Sequence, residues 1–179
     1  ESQGKRTDLS GMVCCYMATG IRPGELPALL WEEVDLDSKP ATMIVSGCAV
    51  YQDGKLVRQP EPKTAAGFRE IVIPEWFAEM LRERFARRDP NVPYVFPSRA
   101  GTMHSMHNLG NRFRQARGAR FKHIKLKSFR STVATVIARE KGAEEAARHL
   151  GHTSPAITGR HYIKRANKTG DHNDILEAL

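Results

Sequence analysis

Apolar residues recur along this chain with a period that changes, and the changes separate helical from extended stretches. Leu9, Met12, Val13, Tyr16 and Met17 keep helical spacing behind Thr7 or Asp8 as a cap, and Gly20 stops the run. From Ala41 to Ile73 the character is different: clusters rich in β-branched residues at Met43–Val45, Cys48–Tyr51, Leu56–Val57 and Ile71–Ile73 flank an Asp53-Gly54 turn. This stretch predicts a small antiparallel sheet of about three strands. Beyond Pro74, Phe77, Leu81 and Phe85, with Trp76 and Met80 beside them, describe an amphipathic helix that Asp89-Pro90 ends.

Helical periodicity dominates the second half. Met106, Leu109 and Phe113 mark a helix that breaks near Gly118 and carries Arg112, Arg114 and Arg117 on its other faces. That basic side suits a row of phosphates, and a plain solvated face is the competing reading. Ser128 has the chemistry of an N-cap, with Phe129, Val133, Val136 and Ile137 as the buried stripe of a helix that runs to Gly142. A short helix follows over Ala143 to Leu150. Ser154-Pro155 then reads as a cap with proline at the first helical position, so a further helix starts there and carries Tyr162. Only Ile175, Leu176 and Leu179 interrupt the polar character of the last residues.

With 179 residues and 40% apolar content, the chain suffices for one domain with a real core, and no repeat or low-complexity segment divides it. Lys and Arg number 28 against 20 Asp and Glu, a formal balance of +8, and the pI is about 9.7. A polyanion is the natural partner of such a surface, although many small basic proteins bind none. The three cysteines Cys14, Cys15 and Cys48 form neither a disulfide framework nor a zinc spacing and suggest a reducing compartment. No stretch approaches a membrane span or a signal peptide, so a cytoplasmic protein is expected. The start at Glu1, without methionine, fits a fragment cut from an upstream domain.

Three segments carry candidate chemistry: Ala18-Thr-Gly-Ile-Arg-Pro-Gly-Glu-Leu26, Lys127-Ser-Phe-Arg-Ser-Thr132, and Leu150-Gly-His-Thr-Ser-Pro-Ala-Ile-Thr-Gly-Arg-His-Tyr162. In this order they resemble the tyrosine recombinase (phage integrase) family, from about Asp8 to Arg165. Each motif is short, and their succession at plausible distances is what makes the resemblance specific. It implies an α+β fold, mainly helical with a small three-stranded antiparallel sheet, covering residues 1–179 as one catalytic domain. The implied activity is site-specific cleavage and rejoining of duplex DNA, as in integration or excision of a phage or other mobile element.

The resemblance also assigns roles. Arg22 and Arg130 clamp the scissile phosphate, whose non-bridging oxygens gather charge in the transition state and fit a planar guanidinium fork. Glu25 orients the Arg22 fork; outside the motif, this pair would read as a surface arginine with a glutamate one turn away. Arg130, two positions beyond the Ser128 cap, would also profit from the helix N-terminus. His152, after Leu150-Gly151, donates a hydrogen bond to the phosphate, whereas His123, His149 and His161 are bystanders. Lys63, in Pro62-Lys-Thr-Ala-Ala-Gly-Phe-Arg69, matches a hairpin-loop lysine that protonates the leaving 5′ oxygen. Lys55 is the alternative, and a solvated loop lysine the bland one.

One position departs from the pattern. The family places a histidine three residues before the second arginine, and here that residue is Lys127. A lysine ammonium still donates to phosphate, but it holds its proton at neutral pH and makes a poor base unless burial intervenes. The resemblance implies that Tyr162, ten residues after His152, is the nucleophile. A phenol is scarcely ionised at neutral pH, and the converging cations assist loss of its proton. The 3′-phosphotyrosyl product keeps the phosphodiester's energy, so no cofactor is implied. Neither a phosphate-cradling glycine loop nor a carboxylate cluster suited to Mg²⁺ is evident.

The family resemblance further implies four protomers on two DNA sites, exchange of a C-terminal segment (residues 165–179) anchored by Ile175, Leu176 and Leu179, and an N-terminal DNA-binding domain that is missing here. Two rivals are a type IB topoisomerase-like nicking and closing enzyme and a DNA-binding module without catalysis.

Overall fold

The computed structural model describes residues 7–60 and 67–151. Helix α1, Thr7–Thr19, opens them and ends where Gly20 takes a left-handed φ of 61°. The Thr19 hydroxyl turns back to the Cys15 carbonyl at 2.5 Å and the Gly20 N–H to the Tyr16 carbonyl at 2.9 Å, satisfying carbonyls that the end of a helix leaves open. Short 3-10 turns at Leu26–Ala28 and Trp31–Glu33 lead into the sheet region.

Two small sheets form instead of the single one expected. Strands β1 (Val34–Asp35), β2 (Thr42–Val45) and β5 (Arg69–Val72) make a three-stranded antiparallel sheet in the order β1-β2-β5. Strands β3 (Cys48–Gln52) and β4 (Lys55–Gln59) make a separate hairpin across Asp53-Gly54, where both φ angles are positive. The apolar clusters of the sequence mark β2 to β5, whereas the two-residue β1 is too short to show a period. Met43 pairs with Ile71 and Val45 with Arg69, and opposite residues share a face, so all four side chains point inward.

Four more helices follow among the described residues: α2 (Glu75–Ala86), α3 (Met106–Arg117), α4 (Leu126–Lys141) and α5 (Ala143–Leu150). Helix α2 stops three residues before Asp89, with Arg87 already out of helical geometry. Ser105 caps α3 through the Asn108 N–H at 3.1 Å. Ser128 does not cap α4. Its hydroxyl accepts the Lys125 N–H at 3.0 Å, which makes Lys125 the N-cap and Ser128 the third helical residue. No helix among the described residues is long and apolar enough to cross a membrane.

The main core joins Met12, Cys15 and Tyr16 of α1 to Met43 and Ile71 of the sheet, Phe77 and Leu81 of α2, Phe96 and Leu109. Each fully buried side chain of this size contributes roughly 1.5–3 kcal/mol. A second cluster, Val133, Ile137, Ala138 and Ala146, welds α4 to α5. Phe129 bridges the parts, stacked on Tyr16 at 6.2 Å and edge-on to Phe113 at 5.7 Å. The ends of α1 and α5 and the interior of α4 are thereby held together.

Candidate active site

The loop after α1 is fastened from below. The buried Tyr16 hydroxyl donates to the Pro23 carbonyl at 3.1 Å. Burial above all, then the neighbouring Cys15 and Glu25, push that phenol well above its usual range, so it keeps its proton. Glu25 begins the 3-10 turn and points back: its carboxylate accepts the Arg22 backbone N–H and one Arg22 Nη, both at 2.7 Å. The second Nη of Arg22 reaches the Gly151 carbonyl at 2.7 Å, across 129 residues of sequence. Arg22 keeps 39% of its side chain exposed, so its fork is fixed in direction and open to solvent.

Arg130 is the fifth residue of α4, one turn further inside than a Ser128 cap would put it. Its guanidinium is buried and donates to the Gly20 carbonyl at 2.8 Å and the Leu150 carbonyl at 2.6 Å. The expected support from the N-terminus of α4 is replaced by the open carbonyls at the ends of α1 and α5. The two arginines meet there, on the successive carbonyls of Leu150 and Gly151. Gly151 adopts the left-handed conformation (φ 65°, ψ 49°) that closes a helix and turns the chain away.

A third cation completes the arrangement, and it closes the Pro62–Arg69 segment, in which only Lys63 was given a role. Arg69 of β5 is buried and grips both Glu25 oxygens, at 2.8 and 3.2 Å. Its Nε donates to the His149 carbonyl at 3.0 Å. Arg69, Arg130 and Arg22 thus take the carbonyls of His149, Leu150 and Gly151 one each, at the helix end where the dipole favours positive charge. Burial raises the Glu25 carboxyl, but the hydrogen bonds and charge of Arg69, then the Arg22 bonds, outweigh it and leave the group below its usual value. The signal for Arg69 was the alternation in β5: it shares the inward register with Ile71, and a buried cation demands a carboxylate.

Lys127 is exposed at the second position of α4, on the face neighbouring Arg130 one turn on. Arg114 is exposed and bonds Asn111, while Arg117 reaches back to the Ile124 carbonyl. Arg112 and Arg117 line an open groove of about 840 Å³ between α1 and α3. Helix α3 carries all three, whereas Arg22 and Arg130 meet on the carbonyls of Gly151 and Leu150. His149, expected to be a bystander, ties α5 to α1 through its ring nitrogen, 3.0 Å from the Thr19 carbonyl. Lys55 is exposed at the start of β4. Lys63, His152, Tyr162 and the C-terminal anchor residues lie outside the described residues.

Comparisons with known proteins bear on this geometry. The fold is similar to a crystal structure of XerA recombinase, with a TM-score of 0.67 and 21% identity over 90% of this chain and 53% of that one. It is also similar to the Tn1549 transposon integrase in complex with circular intermediate DNA, with a TM-score of 0.69 and 18% identity over 93% of this chain and 62% of the other. For a lambda integrase tetramer bound to a Holliday junction the TM-score is 0.57, with 15% identity over 93% of this chain and 45% of that one. The chain therefore spans between about half and two thirds of these relatives' lengths. Among curated proteins there is no match. The sequence profile of the phage integrase family matches residues 2–169, and on that match this chain, with its mixed helical and antiparallel fold, belongs to the phage integrase family of tyrosine recombinases.

Proposed function

We propose that this chain is the catalytic part of a site-specific DNA recombinase that cuts and rejoins duplex DNA through a covalent link to Tyr162. The observation that carries the reading is the meeting of Arg22 and Arg130 on the last carbonyls before His152, ten residues from Tyr162 in sequence. The Tyr162 hydroxyl oxygen attacks phosphorus as its proton passes to solvent water, the bond from phosphorus to the 5′ oxygen breaks, and a 3′-phosphotyrosyl bond forms. The two guanidinium groups neutralise the charge that builds on the non-bridging oxygens, the step where preorganised donors are worth most. His152 and Lys127 donate to the same phosphate. Lys63 protonates the departing 5′ oxygen, with Lys55 the alternative donor.

A 5′-hydroxyl from another strand reverses the attack and releases Tyr162. The bond energy is conserved throughout, so neither ATP nor a metal is consumed. The partner is double-stranded DNA, engaged by four protomers like the lambda integrase tetramer on its Holliday junction, with residues 165–179 passed between them and an N-terminal domain gripping the far side. Arg112, Arg114 and Arg117 bind phosphates along α3. A cytoplasmic location beside the chromosome follows from this reading.

A pool of duplexes nicked near one end, randomised around the nick and incubated in EDTA without ATP, tests the proposal. The wild-type chain should give a detergent-stable protein–DNA adduct, and Tyr162→Phe should give none. DNA binding without any adduct identifies a non-catalytic binding module, an outcome that Lys127 in place of histidine keeps in view. Relaxation of supercoiled plasmids of arbitrary sequence identifies a topoisomerase-like enzyme.

A further inference from the structure

Arg69 is a buried cation that the chemistry above does not use. It stands in the inward register of β5, opposite Val45, where an apolar residue would pack without cost. Its guanidinium instead donates to three different parts of the chain: both Glu25 oxygens, the Gly67 carbonyl at 2.9 Å, and the His149 carbonyl at 3.0 Å. Gly67 lies four residues after Lys63, Glu25 holds the Arg22 fork, and His149 begins the three-carbonyl turn that leads to His152.

A cation needed only to neutralise Glu25 could be any buried ammonium. What the planar fork adds is direction: one edge sets the plane of the Glu25 carboxylate, and Nε, at a fixed angle to that edge, sets the end of α5. Glu25 in turn presents its oxygens to the Arg22 N–H and Nη at 2.7 Å. The position of Arg22 relative to the α5 exit is therefore determined twice, once directly at Gly151 and once through Glu25 and Arg69.

We infer that Arg69 is a positioning residue for strand cleavage, which holds Arg22, through Glu25, and the turn into His152, through the His149 carbonyl, in the register where both act on one phosphate. This rests on the recombinase reading proposed above. Arg69 touches no substrate in this role. Its loss misplaces groups that do, and a misplacement near 1 Å costs about a hundredfold in rate.

The test compares Arg69→Lys and Arg69→Met with the wild-type chain on the pool of nicked duplexes. Melting temperature, DNA affinity by fluorescence anisotropy, and the single-turnover rate of adduct formation at saturating protein are measured for each. Lysine keeps the charge but lacks the fork. Arg69→Lys should recover most of the stability that Arg69→Met loses and bind DNA within about twofold of wild type, yet form adduct about ten- to a hundredfold more slowly. Stability and rate recovering together in Arg69→Lys would mean that Arg69 serves the fold alone, and the inference would be overturned. A wild-type chain that forms no adduct overturns the recombinase reading and this inference with it, and is told apart by the wild-type lane alone.

Discussion

Replacing Glu25 with glutamine removes one charge and almost no volume, and the geometry around it allows the cost to be worked out. Its two oxygens accept four donors: the Arg22 N–H and an Arg69 Nη at one, an Arg22 Nη and an Arg69 Nη at the other. An amide keeps a single oxygen, so two of the four donors then face an NH₂ group. The side chains of Glu25 and Arg69 are each only 6% exposed, so water does not make up the loss. Breaking a buried pair by deleting one partner costs roughly 3–5 kcal/mol. In a chain of this size each kcal/mol moves the melting temperature by about 2–4 °C, so Glu25→Gln should melt roughly 6–20 °C below wild type at pH 7.

The pH dependence gives a second, independent reading. The Glu25 carboxyl is held below its ordinary value of 4.5 in the folded chain, so it contributes stability that is complete above that value. The contribution disappears as the pH falls through the lower, folded value. The melting gap between wild type and Glu25→Gln should therefore be constant from pH 8 to about 5 and narrow in more acidic buffer. Scanning calorimetry across that range is the assay. A gap of less than about 2 °C at neutral pH, or one that widens on acidification, would refute the account of Glu25 as the shared counterion of two arginines.

Two further outcomes follow from the geometry. Gly20→Ala places a Cβ 3.0 Å from both Leu150 Cδ2 and Val133 Cγ1 at a φ of +61°, so thermal unfolding should reveal a loss of about 1–3 kcal/mol; a wild-type melting curve would show that α4 and α5 yield easily there. Arg114→Gln with Arg117→Gln should weaken duplex binding uniformly across sequences and lower the slope of log affinity against log salt by about 0.9 for each phosphate no longer neutralised, read by anisotropy titrations. An unchanged slope would mean that neither arginine neutralises a phosphate.

The helices among the described residues were legible in the sequence because a buried stripe of period 3.6 needs no knowledge of its partner, while the helix expected from Ser154 lies outside those residues. The short helix Ala143–Leu150 forms over the residues expected for it. The strand clusters were equally visible, but their grouping was not. Strand β2 pairs across a gap in sequence with β5 and the brief β1, leaving β3 and β4 as a hairpin apart. The start of α4 differs from expectation because serine serves equally well as an N-cap or as the third residue that bonds back to one.

The candidate site divides in the same way. Motif order alone singled out Arg22, Glu25 and Arg130, since short segments keep their residue types wherever the rest of the chain lies. Arg69 stayed hidden, because a single arginine in a strand declares nothing until its carboxylate is known, and that carboxylate lies 44 residues away in sequence. The polypeptide on its own thus determined which groups exist and which local elements carry them. Only tertiary packing decided that three guanidinium groups from a loop, a strand and a helix interior share the last carbonyls of α5. The physical reason is that open carbonyls at a helix end accept whichever donors the fold delivers, and delivery depends on pairings up to 129 residues apart in the chain.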